Sequence, residues 1–386
     1  MLSVSGYRGV EVKAYDDENR KRTAEELENY LVVKPGQLAV NTMWLNFRGL
    51  GVSSHLGTVS PAYKVYDILN GNRNYLHHLL RCDAYVDEYT RLARGIRPNS
   101  LQVSTSDFES MRALVPPPSE QQAIAAFLDR ETTRIDELLR EQEDLLEDLR
   151  EKRRATINEA THAVPSVHSD PVLARWQLAP LKSLLISMEQ GWSPQCDNRP
   201  AEEGEWGVLK VGCVNGHRFK PEENKALPNE LDPMRQYALK RDDVLISRAN
   251  TRDLVGSAAR VEQDYPQLLL CDKLYRLRTN GALLLPAYLV FLLSSPLARA
   301  AIEQAASGAS SSMLNISQAT IKNLLLPIPP TAEQETILER LDAQLAQIDT
   351  LVQEVRASIE DMRLHRSALI TAAVTGKIDV RHLEHA

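Results

Sequence analysis

The stretch from Val115 to Ala160 recurs from Ile328 to Ala373 at a constant offset of 213 residues, without a gap. Pro116/Pro329, Pro117/Pro330, Gln121/Gln334, Ile124/Ile337, Leu128/Leu341, Asp129/Asp342, Ile135/Ile348 and Asp136/Asp349 are identical pairs. A repeat of this kind restricts the chain to architectures built from two similar halves.

Each copy reads as one long helix. The prolines end any preceding strand and leave the residue before them extended. Ser119 and Thr331 are the expected N-caps, with Glu120 and Glu333 in first turns where the helix dipole favours negative charge. Apolar residues then recur at alternating steps of four and three: Ile124, Leu128, Ile135, Leu138, Leu145 and Leu149, and again Ile337, Leu341, Ile348, Leu351, Val355, Met362 and Leu369. That spacing predicts a coiled coil with each helix on the order of 60 Å long. A second stripe, comprising Leu139, Leu146, Leu338, Leu345, Val352 and Ile359, is expected to dock other subunits. The plain alternative is a solvated stalk; two in-register copies favour a ruler between two modules.

The net charge of −7 argues against nucleic acid only until it is divided. Residues 116–160 hold 12 acidic and 7 basic side chains and residues 329–386 hold 10 and 6, which leaves 30 acidic and 32 basic elsewhere. The acid lies on the helices, and the remainder is compatible with DNA contact. Four cysteines without CxxC spacing point to a reducing compartment and no structural zinc. No run spans a membrane and no signal peptide is legible, so a cytoplasmic location and no membrane partner are expected.

Around the helices the expected domains are 1–114, a first mixed module; 115–160, a helix; 161–173, a linker; 174–327, a second mixed module; 328–373, a helix; and 374–386, a tail. Strands are expected at Leu2–Val4, Leu38–Val40, Tyr63–Tyr66, Leu209–Val211, Asp243–Ile246 and Leu274–Leu277, and helices from Tyr75 and from Tyr288. The 213 offset also places Tyr75 on Tyr288, Leu79 on Leu292 and Ser104 on Ser317, and with slippage Val40–Thr42 falls on Ile246–Arg248. The modules therefore repeat as well, with divergent loops that suggest the same job on different targets. The second module has a lead-in, Arg175 to Gly207, that the first lacks. Either the start is short, or another segment, such as the strand-like tail Gly376–Arg381, completes the first module.

No phosphate loop, dinucleotide fingerprint, HExxH, GxSxG or aminomethyltransferase motif is present, so no catalytic role is expected. The doubled PPxxEQ helix, the run Asp243–Thr251, the run Ser312–Ser317 and the ending Ala373–Ile378 resemble the specificity subunit of type I restriction–modification enzymes. The resemblance implies an α+β fold: two target-recognition domains separated by two long antiparallel helices about a pseudo-twofold axis. It implies that each domain reads half of an interrupted double-stranded DNA site. Two modification subunits would dock on the helices and methylate adenine with S-adenosylmethionine, and restriction subunits would use ATP and magnesium. No cofactor or metal is expected in the chain itself.

Arginine can hold guanine bidentately and asparagine adenine, though many such side chains only position phosphates. The candidates in the first module are Asn41, Trp44, Asn46, Arg48, Arg91, Arg94 and Arg97. In the second they are Lys210, Asn215, His217, Arg218, Arg248, Asn250 and Arg252. Two other classes stay open, the reader region of a self-contained DNA-modifying enzyme and a scaffold with no DNA role.

Overall fold

The computed structural model describes residues 1–13, 28–95, 102–161, 176–216, 218–308 and 313–380. They form two compact units, 1–146 with 354–386 and 147–353, so each unit takes part of both long helices.

In the first unit β1 (Leu2–Ser5) and β2 (Gly9–Val12) make a hairpin, and β3 (Leu31–Val33) is followed by β4 (Leu38–Asn41), β5 (Leu50–Val52), β6 (Gly57–Val59) and β7 (Tyr63–Tyr66). The strand order is β5-β4-β7, with β3 paired to β6. Helices α1 (Arg73–Arg81), α2 (Asp83–Leu92) and α3 (Thr105–Glu109) precede α4 (Pro118–Thr161). Leu38, Val40, Tyr75, Leu79 and Tyr89 bury against Ile124 and Leu128 of α4, and against Ile370, Ala373, Val374 and Val380 from the far end of the chain.

The second unit carries β8 (Gln177–Pro180), β9 (Leu185–Gln190), β10 (Gly207–Leu209), β11 (Asn224–Ala226), β12 (Ala238–Leu239), β13 (Val244–Ser247), β14 (Ala249–Asn250), β15 (Ala258–Arg260), β16 (Tyr265–Leu269) and β17 (Leu274–Thr279). Helices α5 (Pro286–Ser294) and α6 (Pro296–Ala305), strand β18 (Leu314–Asn315), α7 (Gln318–Lys322), β19 (Leu325–Ile328) and α8 (Thr331–Val374) complete it. Its sheets run β15-β13-β17-β9 and β11-β10-β16-β12. The expected strand at Leu209–Val211 ends at Leu209, because the backbone turns into a 3-10 helix over Val211–Val214.

The repeat is structural. Helices α1 and α5, α2 and α6, and α3 and α7 keep the 213-residue offset. Ser104 and Ser317 each cap a short helix, accepting from the N–H of Asp107 and of Thr320. The bridge Arg94–Gln102 recurs as Ser307–Asn315. The N–H of Val103 reaches the carbonyl of Thr42 at 3.1 Å, and that of Ile316 reaches Arg248 at 3.0 Å.

The PPxxEQ motif has a shared mechanical reason. Ser119 and Thr331 lie inside the helices, and neither is the N-cap. The carbonyls of Pro117 and Pro330 accept the first helical N–H groups instead, from Gln121 at 3.0 Å and Gln334 at 3.0 Å. Gln334, fully buried, accepts from the N–H of Leu285 and donates to the carbonyls of Leu283 and Pro329, all at 2.9 Å. Gln121 accepts from the N–H of Asn72 and donates to Pro116, both at 2.8 Å. Each glutamine clasps its long helix to the first helix of its module. Beside the second clasp, Trp176 of the lead-in donates to Glu333 at 3.0 Å.

The two long helices pack antiparallel, with Arg366 on Asp136 and Arg363 on Glu143 in the first unit and Arg153 on Asp349 in the second. The apolar stripes divide otherwise than their spacing suggested. Leu139, Leu345 and Ile359, expected to await a partner, are buried, and Leu146, Leu338 and Val352 are half-buried. Leu138, Leu145, Leu351 and Leu364 are exposed. A straight helix drifts about 20° per heptad from a 3.5-residue repeat, so one stripe does not stay at the seam along the whole length.

The tail turns at Gly376 (φ +70°), where the N–H of Lys377 returns to Ala372 at 2.9 Å, a Schellman-type stop. Beyond it Ile378 and Val380 pack into the first unit's core as irregular chain, not as the expected strand.

Candidate nucleic-acid interface

In the second unit the sheet presents its polar residues on turns. Asp243, buried at the start of β13, accepts from Arg278 at 2.7 Å and lies 3.5 Å from Arg276. Arg276, also buried, reaches Glu189 at 2.6 Å. This network fixes β13 and so aims the turn after it. The N–H of Arg248 donates to Lys273 at 2.8 Å and its guanidinium reaches the carbonyl of Asp272 at 3.4 Å. Asn250 accepts from Thr251, while its buried Nδ2 has no partner among the described residues. Arg252 is exposed. The buried Oδ1 of Asn215 is likewise unpartnered among them, a site for a donor.

Lys210 lines a cleft of about 450 Å³ with Ser193, Gln195, Lys225, Asp272 and Lys273. Arg248 and Lys210 thus each neighbour Asp272 and Lys273. Arg218 instead faces Asp349 of α8, at 3.7 Å. Lys225 and Lys273 escaped the sequence reading. Lys225 joins Lys210 because β11 pairs antiparallel with β10, Val208 beside Lys225, and Lys273 because β10 pairs in parallel with β16, Gly207 beside Leu268, a contact that no local pattern announces.

The first unit treats its candidates differently. Asn41 accepts from the N–H of Met43 at 3.2 Å and closes the turn after β4. Asn46 is half-buried. Trp44 and Phe47 are each 57% exposed, with ring centroids 5.5 Å apart. Arg48 is committed inside the chain: it binds Asp83, donates to Ser367 at 2.8 Å and to the carbonyl of Arg81 at 3.1 Å. Its left-handed backbone (φ 58°) and these bonds make it a clamp between module and helix. Arg91 is held by Glu88 at 2.5 Å and Arg94 lies 3.8 Å from Asp107; both are exposed. Arg97 and His217 fall outside the described residues.

Arg8, Arg48, Arg81, Arg363 and Arg366 also line a 220 Å³ cavity beside His77. Burial pushes the Arg81 guanidinium down to about 10, and its bonds go to backbone carbonyls, Gly6 at 2.9 Å among them. Burial also lowers His77 to about 3, so it is neutral. Burial, then the hydrogen bond to Asp136, pushes Tyr7 up to about 12.

Among the described residues no group of His, Cys, Asp and Glu could hold a metal ion, and no helix is long and apolar enough to cross a membrane. All four cysteines are free thiols.

Residues 176–361 match the model of the type I restriction modification DNA specificity domain. The chain is 29% identical over 199 residues to the EcoEI specificity subunit of Escherichia coli, covering 51% of this chain and 33% of that one. It is 24% identical over 311 residues to the EcoKI specificity subunit of Escherichia coli K12, covering 79% and 65%. The chain thus spans less than two thirds of these relatives. A structure reported for complex assembly and conformational transition of the type I R-M system superposes with a TM-score of 0.68 at 19% identity, over 90% of this chain and 83% of that one. The matched domain, the relatives and the doubled fold agree: residues 176–361 carry a type I restriction modification DNA specificity domain, and the chain as a whole is similar to the specificity subunits of type I restriction enzymes.

Proposed function

We propose that this chain reads a two-part double-stranded DNA site, each unit contacting one half, and that it carries the reading to modification subunits docked on its helices. The observation behind this is the doubled fold with unlike turns. The same clasp, sheet and helices recur, while the turn after β4 holds Trp44 and Phe47 and the turn after β13 holds Arg248, Asn250 and Arg252. Equal scaffolds with unequal contact chemistry suit two unrelated half-sites. Two methyltransferase subunits would supply S-adenosylmethionine and adenine methylation, and restriction subunits would supply ATP- and magnesium-dependent translocation. The chain itself acts as reader and scaffold in the cytoplasm, where the chromosome lies.

Adenine methylation mapped in cells that express the chain with its modification subunit tests this. The expected result is one interrupted motif, with Arg248→Ala and Asn250→Ala together relaxing one half only. Equal relaxation of both halves would show that the units do not read independently.

A further inference from the structure

The lysine-lined cleft of the second unit contains one group that a phosphate-binding surface does not need. Asp272 sits among Lys210, Lys225 and Lys273. A carboxylate on the path of a phosphate backbone opposes binding that ignores sequence. Among the described residues it forms no ion pair, so neutralising those lysines does not explain it. It is nevertheless held in place. The Ser193 hydroxyl donates to Oδ1, and the Asp272 N–H donates back to Ser193 Oγ at 3.1 Å. The Asp272 carbonyl accepts from Gln190 at 3.1 Å and from Arg248 at 3.4 Å. One carboxylate oxygen is fixed, and the other is left as an acceptor at the cleft.

We propose that Asp272 is a specificity-determining residue which accepts a hydrogen bond from the exocyclic amino group of a cytosine or adenine in the half-site read by the second unit. The inference rests on the proposed DNA reading. In the major groove only cytosine N4 and adenine N6 offer a donor, and Asp is suited to accept from it. Lys210, Lys225 and Lys273 then hold the flanking phosphates, and Ser193 is a positioning residue that sets the carboxylate plane. In the first unit the stretch ahead of β7, Ser60, Pro61 and Ala62, has no charge, so the requirement for an amino group belongs to one half-site.

The test uses the full chain in complex with its modification subunits. Binding is measured to duplexes bearing the mapped motif, with every base pair of both halves substituted in turn. Asp272→Ala should lose roughly 10-fold discrimination at one base pair of one half. It should bind unrelated DNA at least as tightly as the parent, since a negative charge has gone. Ser193→Ala should lose part of the same discrimination at the same base pair, which keeps the test alive should Asp272→Ala fold poorly. Lys273→Ala should weaken all duplexes alike and reduce the salt dependence. The base whose substitution loses its penalty tells cytosine from adenine. If Asp272→Ala and Ser193→Ala discriminate as the parent does, the carboxylate reads nothing and this inference falls while the DNA reading stands. If the parent complex shows no sequence preference, the DNA reading falls with it.

Discussion

Gln121 and Gln334 show how much one side chain can carry. Each must accept from a backbone N–H and donate to a carbonyl at once, which only an amide does; a glutamate in the same place would face those carbonyls without a proton. Gln334→Ala leaves the groups at Leu283, Leu285 and Pro329 unpaired in a buried place, and we expect a loss of about 2–4 kcal/mol in a urea melt followed by hydrogen exchange in α5. The identity of the two glutamines was visible in the repeat. Their partners were not, because the contact joins a side chain to backbone 49 residues away. Acid should act on the first unit in particular. The hydrogen bond from His78, seconded by Asn74, holds the Asp129 carboxyl below its usual range. That contribution is present above the unfolded carboxylate value and is lost as pH falls through the folded one. His77 is lowered to about 3 by burial, so the unfolded chain takes up its proton first and stability declines from about pH 6.5 downward. A thermal midpoint that falls between pH 6.5 and 4, and falls less in His77→Gln, is the expected outcome. Arg48 marks where residue-type reasoning stops. An arginine on a loop beside other polar groups reads as a DNA contact by residue type, and its internal bonds to Asp83 and Ser367 come into view only with the fold.

Among the elements, the long helices were the most legible and their faces the least. Period and prolines located both, but which stripe is covered depends on the crossing of two slowly drifting surfaces. Leu139 and Leu345 lie inside, whereas Leu138, Leu145 and Leu351 face outward. The two sets should respond in opposite ways. Leu139→Ala should cost about 2–5 kcal/mol of stability. Leu138→Glu with Leu351→Lys should leave the melt nearly unchanged, raise the solubility of the chain expressed alone and abolish co-purification of the modification subunit. Retained co-purification would move the docking surface elsewhere. The short strands were found where they alternate, as at β4 and β7, and missed where pairing is distant, as at β16. The lysine cleft was missed for that same reason.

At the scale of the whole molecule, the proposed ruler predicts a spacing. A four-residue insertion after Gln142, matched by one after Arg363 so that Glu143 keeps its partner, lengthens each helix by about 6 Å. With base pairs about 3.4 Å apart, the unread gap should grow by one or two, and the bases in each half should stay the same. Methylation sequencing of the variant gives the answer, and an unchanged gap would leave the helices as docks only. The duplication was plain in the sequence, but the way the first unit is finished was less so. Its core needs Ile370, Ala373, Val374 and Val380, while the second unit is one continuous stretch, 147–353. On a ribosome that adds roughly 5–20 residues per second, Leu79, Tyr89 and Leu128 emerge on the order of tens of seconds before those partners. The nascent chain must therefore carry an uncovered apolar surface throughout the synthesis of everything between, and the half that is translated first is the last to close.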